Sequence, residues 1–435
     1  MPTGHAIRLL AYEARSLLER LNEVRPFALT LPMVAAAAPS VAAQAAIDRF
    51  LADSRRDLRQ LVGRFLAWLD SPAGVAASPA QAQQRFTIVR LRFLAVLTQF
   101  DVFADALTER SQHGYGEWLG GLDVAASDAL AWPGLPYRAP PVICHLDRGP
   151  GAAIRRARTR LPGGGLSPVA LIRIPRERMV GSAIASSLVH EVGHQGAALL
   201  SLVPALQELL TARAQRHPAD APAWLHLRQW ISEIVADFWS VARVGIGSTL
   251  GLMSVVGLPR VFVVRLGGDD PHPPPWIRVK ISAAIGARLY PDAQWAQLAS
   301  LWETLYPLAQ EPDTLTQALR QLERLLPDFA ALLADCRPPA LQGRTLAQVF
   351  PTDDRQPARL RALWQRQQHQ PDTLAHLPPT LAFAVVGQAK HDARIGAAEE
   401  VVLLRRLLRF WALHSTVDAR EVCAQAQADG AAVVL

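Results

Sequence analysis

The chain has 435 residues, of which 50% are apolar and 19% are charged, and its formal net charge is +7. This composition excludes an intrinsically disordered protein, and the length predicts two or three domains or one large body with helical additions. The positive charge comes almost entirely from arginine, because Lys280 and Lys390 are the only lysines. The arginines are spread along the chain without interleaved aromatic residues, so we expect no nucleic-acid partner.

The sequence indicates a reducing compartment and no membrane span. Cys144, Cys336 and Cys423 lie far apart with no C-x-x-C pair, so no disulfide framework is expected. The amphipathic N-terminus carries two glutamates and is no signal peptide. The best membrane candidate, 244–258, is shorter than the roughly 20 residues of a spanning helix. We therefore expect a soluble, cytoplasmic protein with no transmembrane segment.

The first third of the chain is predicted to be helical. Apolar residues recur at helical spacing over 47–69 and 81–107, which indicates two long amphipathic helices. The composition changes near Pro133, and two short β-prone runs follow at 141–147 and 168–175. A small sheet is therefore expected after the N-terminal helices.

The remainder is again mostly helical. One helix is predicted over 179–196, where Gly196 supplies a plausible stop. The next predicted helix, 197–216, is kinked or restarted at Pro204. From Trp276 to about residue 415 the helical pattern is interrupted at prolines.

The helix predicted over 179–196 contains His190, Glu191 and His194 as H-E-x-x-H. Residues four apart lie one turn above the other on the same helix face, so both imidazoles can point at one metal ion. Glu191 then lies next to them, within reach of the bound water. The pattern predicts a zinc site with a general base attached. The alternative is two surface histidines without a ligand role.

A second acidic pair follows downstream. A catalytic zinc ion usually takes a third protein ligand and keeps a fourth position for water. The helix predicted over 230–240 carries Glu233 and Asp237, again four residues apart, among Ile, Val, Phe and Trp. Such acidic groups are costly to bury unless a charge or metal meets them. The simplest assignment makes Glu233 the third ligand, with Asp237 holding the distal N–H of a ligand histidine. The alternative is a helix edge that faces solvent.

These motifs resemble those of the gluzincin metallopeptidases, specifically the group holding the CAAX prenyl endopeptidases and the HtpX-like peptidases. That group pairs H-E-x-x-H with a downstream E-x-x-A-D, and the chain has Glu233, Ala236 and Asp237 in that pattern. The resemblance covers roughly residues 168–290. The family's membrane helices have no counterpart in the sequence, so the chain is expected to be a soluble variant.

A third motif extends the resemblance. The segment 270–278, DPHPPPWIR, is similar to the family's H-P-x-x-x-x-R block, with His272 six residues before Arg278. The resemblance implies that both side chains line the cleft. His272 would stabilise the oxyanion, and Arg278 would support the zinc-ligand carboxylate or the substrate. Taken alone, a histidine in a proline-rich turn is more often an ordinary loop residue.

The predicted function is zinc-dependent hydrolysis of peptide bonds. Zinc is expected to bind His190, His194 and Glu233, with Glu191 as the general base that takes a proton from water. A peptide or protein substrate is expected to add to the second predicted strand, as an extended segment at a sheet edge beside the metal cleft. The same strand could instead be ordinary core sheet. The residues of this predicted substrate-binding edge are Val169, Ala170, Leu171, Ile172, Arg173 and Ile174.

The expected fold is α+β and mostly α-helical: a zincin-like core with a small sheet over 136–290, between helical regions over 1–135 and 291–435. Helical flanks of this length leave two further interpretations open. One is a delivered proteolytic effector or a latent, partner-specific protease whose flanks dock a protein partner. The other is a non-enzymatic zincin-like assembly scaffold. Glu191 argues against the scaffold, because a structural metal site needs no base.

Overall fold

The computed structural model describes residues 2–25, 27, 31–112, 114–132, 137–147, 151–175, 181, 183–266, 270–308 and 313–428. Within these ranges most residues are helical and the strands form one small sheet, which confirms the predicted mostly α-helical α+β fold. The strands are β1 (Val142–Asp147), β2 (Ala153–Arg155) and β3 (Ala170–Pro175). The helices are α1 (Pro2–Asn22), α2 (Val41–Leu69), α3 (Pro72–Val75), α4 (Pro79–Thr108), α5 (Tyr115–Leu130), α6 (Ala183–Leu199), α7 (Leu202–Arg216), α8 (Ala221–Gln229), α9 (Ile231–Val244), α10 (Ile246–Val256), α11 (Arg260–Val263), α12 (Pro275–Leu289), α13 (Gln294–Leu305), α14 (Thr314–Asp335), α15 (Pro357–His369), α16 (Pro379–His391) and α17 (Ala397–Ala428).

Helices α1, α2 and α4 form a layer against one face of the sheet. Helix α2 begins after the N-cap Ser40, and α4 begins with a capping box between Ser78 and Gln81, so both starts are encoded locally. Their buried apolar residues pack with one another and against Ile143 and Leu171 of the sheet. Both predicted N-terminal helices are confirmed.

The other face of the sheet belongs to a larger core. This core runs from Leu119 on α5 to Trp411 on α17 and includes the buried faces of α6, α9, α10, α12 and α16. The C-terminal helices therefore share one apolar cluster with the sheet and with α6. The predicted boundaries at 135/136 and 290/291 both fall within the stretch of chain that builds this cluster.

The sheet has the order β1-β3-β2, which makes β3 the central strand. Strand β1 pairs with β3 in parallel, and β2 pairs with β3 antiparallel opposite residues 171–173. The prediction of a substrate-binding edge on this strand is therefore wrong, because ladder partners occupy both of its sides. The residues concerned are Val169, Ala170, Leu171, Ile172, Arg173 and Ile174.

Side chains close the outer edge of β1. Asp123 of α5 accepts the backbone N–H of Cys144 at 2.6 Å, and Arg110 donates to the Cys144 carbonyl oxygen at 2.8 Å while pairing with Asp123. Glu109 accepts the backbone N–H of Leu146 at 2.9 Å. Unsatisfied polar groups at a sheet edge invite pairing with another chain, so this network protects β1. Strand β2 forms the opposite edge.

The apolar helix α10 packs inside the protein through small residues. A Cβ on Gly251 would lie 2.4 Å from the Cβ of Ser186 on α6, so only a glycine permits this approach. Among the described helices, none combines the length and the apolar character needed to cross a bilayer. Cys144 and Cys336 are buried free thiols, and the side chain of Cys423 lies outside the described part of the chain.

Candidate metal centre

Helices α6 and α9 bring three potential metal ligands together. On α6 the imidazole rings of His190 and His194 meet edge to face, with centroids 4.8 Å apart. On α9 the carboxylate of Glu233 reaches both: Oε2 lies 3.3 Å from Nε2 of His190, and Oε1 lies 3.3 Å from Nε2 of His194. One ligand atom from each residue lies within 4.8 Å of the others. The cluster could therefore hold a metal ion.

The donor set and its spacing fit a tetrahedral divalent cation. Two imidazoles and one carboxylate are a known ligand set of catalytic zinc sites. Donors about 2.1 Å from a tetrahedral ion lie about 3.4 Å from one another, close to the spacings from Glu233 to the two histidines. The three side chains are 11–17% exposed, so the cluster is shielded but reaches the surface. Among the described residues the cluster offers these three donors, so a tetrahedral ion held here would keep one position for a further ligand.

Two glycines on α6 allow α9 to approach closely enough for Glu233 to reach the histidines. A Cβ on Gly193 would lie 2.9 Å from the Cα of Ala236, and a Cβ on Gly196 would lie 2.1 Å from the ring of Trp239. The prediction that Gly196 ends the helix is wrong, because α6 continues three residues beyond it to Leu199. Here glycine provides a close helix contact rather than a left-handed cap.

The next helix restarts as the sequence predicts, although slightly earlier than Pro204. Helix α7 begins at Leu202, after Ser201 adopts a left-handed conformation with φ 51°. Pro204 therefore lies in the first turn, where its missing N–H costs no helical hydrogen bond. The predicted start of α6 at Met179 lies outside the described residues.

Asp237 and Arg278 form hydrogen bonds that hold the potential metal ligands in place. Oδ1 of Asp237 lies 2.8 Å from Nδ1 of His190, the ring nitrogen opposite the one near Glu233. Arg278 of α12 donates to Asp237 through Nε at 2.7 Å and Nη2 at 3.0 Å, and Nη2 also lies 3.4 Å from Glu233 Oε2. Arg278 thus contacts the predicted ligand carboxylate, which is one of the two roles that the resemblance implies.

The pKa values in the metal-free cluster reflect these contacts. Burial disfavours the charged form of His190, but Asp237 and Glu233 outweigh this effect and raise its pKa to about 9. Burial likewise opposes ionisation of Asp237, yet Arg278 and His190 lower its pKa to about 2. The pKa of Glu233 also lies well below its usual range, because both histidines outweigh desolvation. Both carboxylates are therefore ionised at neutral pH, as metal binding requires of a ligand.

No family model, curated protein or solved structure matches the chain. Any functional assignment therefore depends on the residues and geometry of the centre itself. All seven residues predicted for this centre lie at or beside it, on three helices and one loop. They are His190, Glu191, His194, Glu233, Asp237, His272 and Arg278.

His272 lies at the rim of the cluster. Its Nε2 is 3.5 Å from Glu233 Oε2, and its side chain is 53% exposed. Asp270 accepts the backbone N–H of His272 at 2.9 Å and lies 2.8 Å from its ring Nδ1, while Arg265 binds the other oxygen of Asp270 at 3.1 Å. Asp270 has no assigned role in the predicted site. The signal for it is the Asp-Pro-His turn, because an aspartate commonly accepts the backbone N–H two residues onward.

Glu191 follows the first histidine on α6 and is 8% exposed. Within the described residues its carboxylate has no hydrogen-bond or ion-pair partner, although it adds to the negative field around Arg278. A carboxylate that makes no ion pair and lies beside two potential metal ligands is a candidate general base.

Proposed function

We propose that the protein is a zinc-dependent metalloendopeptidase of the gluzincin type. The observation that carries the proposal is the convergence of His190, His194 and Glu233. Beside them lies the carboxylate of Glu191, which has no partner among the described residues. When bound to such a site, zinc lowers the pKa of water and polarises a carbonyl group. The E-x-x-A-D and H-P-x-x-x-x-R motifs support the same family.

The side chains around the cluster have three proposed roles: proton transfer, orientation of a ligand histidine and stabilisation of the oxyanion. Glu191 takes a proton from the water molecule while that water attacks the scissile carbonyl. Glu191 then delivers the proton to the leaving amine. Asp237, held by Arg278, accepts a hydrogen bond from the Nδ1–H of His190, which would leave the lone pair of Nε2 for a metal ion. When His272 is protonated, Asp270 binds its Nδ1 and leaves Nε2 free to donate to the developing oxyanion.

Peptide substrates are proposed to add to β2 rather than to β3. Strand β2 is an edge of the sheet and packs against α6, and just beyond it Gln195 of α6 accepts the backbone N–H of Ala157 at 2.8 Å. An extended peptide paired with β2 would therefore lie close to the metal helix. A delivered effector or a partner-specific protease would use the same centre on fewer substrates.

A structural metal scaffold is the weaker alternative. Structural zinc sites are closed by four protein ligands, whereas the described residues supply three at this cluster. A scaffold also gives the carboxylate of Glu191 no role, because a structural metal site needs no base.

The decisive experiment combines metal analysis with digestion of a peptide library. We expect about one zinc ion per chain in the wild type and in Glu191→Gln, since glutamine keeps the shape of the side chain. Hydrolysis by Glu191→Gln should fall about 10²–10⁴-fold, because the amide cannot accept the proton. Glu208→Gln, at an exposed position on α7, is the matched control and should retain full activity. Equal turnover by wild type and Glu191→Gln, or a wild type that binds no zinc, would refute the proposal.

A further inference from the structure

A cleft of about 960 Å³ lies on the sheet face that is turned away from α6, between the sheet and α4. Residues alternate along the strands: Cys144 and Ile172 belong to the core shared with α6, whereas His145 and Arg173 line the cleft. Pockets for small molecules typically measure about 300–1,000 Å³, so the cleft has the size of a ligand site. It is separated from the metal centre by the thickness of the sheet.

Four arginines line this cleft, and three of them have no partner among the described residues. Arg155, Arg156 and Arg160 are exposed and make no ion pair or side-chain hydrogen bond with any described residue. The fourth, Arg173, pairs with Asp147 at 3.5 Å, but its buried Nε has no hydrogen-bond partner. Four other arginines of the described chain share this feature, so it marks an open donor in the cleft and does not by itself indicate a ligand.

The acidic residues of the cleft do not balance these charges. Glu109 accepts the backbone N–H of Leu146, and Asp147 pairs with Arg173. With Asp105 of α4 the lining holds three acidic residues against four arginines, a formal excess of one positive charge. The cleft therefore presents a net positive charge to solvent, and its occupant should be an anion.

We propose that this cleft binds a small ligand carrying at least two phosphate groups, such as an inorganic polyphosphate or a nucleotide. Each guanidinium offers a planar pair of donors that matches phosphate oxygens, and several arginines around one cleft suit linked phosphates better than a single one. Val102 and Leu171 add an apolar wall that can cover the rest of the ligand. Among the described lining residues there is no Phe, Tyr or Trp, which disfavours a single-stranded nucleic acid.

The test is calorimetric titration of the full-length protein with tripolyphosphate and, in a second arm, with ATP. The double variant Arg156→Gln/Arg160→Gln should bind each ligand about a hundredfold more weakly, at about tenfold per arginine. Arg158→Gln is the matched control, because Arg158 is exposed in the same segment but does not line the cleft. Tripolyphosphate and ATP could also chelate a metal ion bound at the metal centre. This contribution to the heat would be the same in the wild type and both variants, so it cancels when their affinities are compared.

The two arms identify the part of the ligand that is recognised. Equal losses with tripolyphosphate and ATP mean that the phosphates suffice, whereas tighter binding of ATP means that the apolar wall contributes; both results support the site. The proposal is overturned if the wild type binds neither ligand at millimolar concentration, if all three proteins bind equally, or if Arg158→Gln weakens binding as much as the double variant. Tighter binding of a single-stranded oligonucleotide than of either small ligand also overturns it.

Discussion

Substituting Gly196 with alanine tests whether close packing of α6 on α9 assembles the metal centre. The added Cβ would lie 2.1 Å from Cη2, 2.5 Å from Cζ3 and 2.6 Å from Cζ2 of Trp239. That ring is 1% exposed, and its Nε1 donates to the Ala129 carbonyl oxygen at 2.9 Å, so it cannot turn aside. The two helices must therefore separate.

The expected effect is large for a single methyl group. Overpacking a rigid core costs about 1–3 kcal/mol, and contacts this short belong at the upper end of that range. Alanine in place of glycine in an open helix instead gains up to about 1 kcal/mol. Gly63 of α2 has no neighbouring atom within 4 Å of its would-be Cβ, so Gly63→Ala is the matched control. We expect the two variants to differ by about 3 kcal/mol in the free energy of unfolding.

Separation of the helices should also weaken zinc binding. Glu233 reaches His190 and His194 at 3.3 Å only because α9 lies against the glycines of α6. Guanidinium unfolding of the metal-free proteins measures the stability difference, and competition with a chromophoric chelator measures zinc affinity, for which we expect a loss of about tenfold or more. If Gly196→Ala is as stable as Gly63→Ala and binds zinc equally well, close packing does not assemble the centre.

Two further predictions concern pH and the rim of the centre. In the metal-free protein the pKa of His190 is about 9, above the 6.5 of an unperturbed histidine, so its protonation stabilises the fold fully below pH 6.5. This contribution is lost as the pH rises through 9, and unfolding titrations should show stability falling across that window in wild type but not in His190→Gln. Asp270→Asn should lower kcat/KM for peptides about tenfold and change its pH profile while zinc content stays constant, because His272 loses its anionic partner. An unchanged pH profile and kcat/KM would show that Asp270 does not position His272.

The helices that carry the centre could be predicted because helical geometry is local. His190 and His194 are four residues apart on α6, and Glu233 and Asp237 are four apart on α9. Backbone hydrogen bonds within each helix convert that spacing into a shared face, whatever surrounds the helix. The cost of burying acidic groups then indicates that the two faces meet.

The order of strands in a sheet and the structural role of a glycine depend on segments that are distant in sequence. Strand β2 has three residues, too few for a periodic pattern, yet its pairing with β3 removes the predicted substrate edge. Glycine is the residue type that commonly ends a helix, so the sequence predicts a helix end at Gly196. Only the position of Trp239 shows that Gly196 instead allows the two helices to pack closely. Both predictions are wrong because each depends on a segment that is distant in sequence, β2 in the first case and α9 in the second.

The amino-acid sequence by itself determined which donor groups the protein offers and on which helix faces they lie. Tertiary structure decided that Glu233 stands 3.3 Å from both histidines, that Arg278 holds Asp237, and that four arginines meet around a cleft behind the sheet. The physical reason is range: spacing along one helix follows from backbone geometry, whereas distances between distant segments follow from how side chains fill a common core.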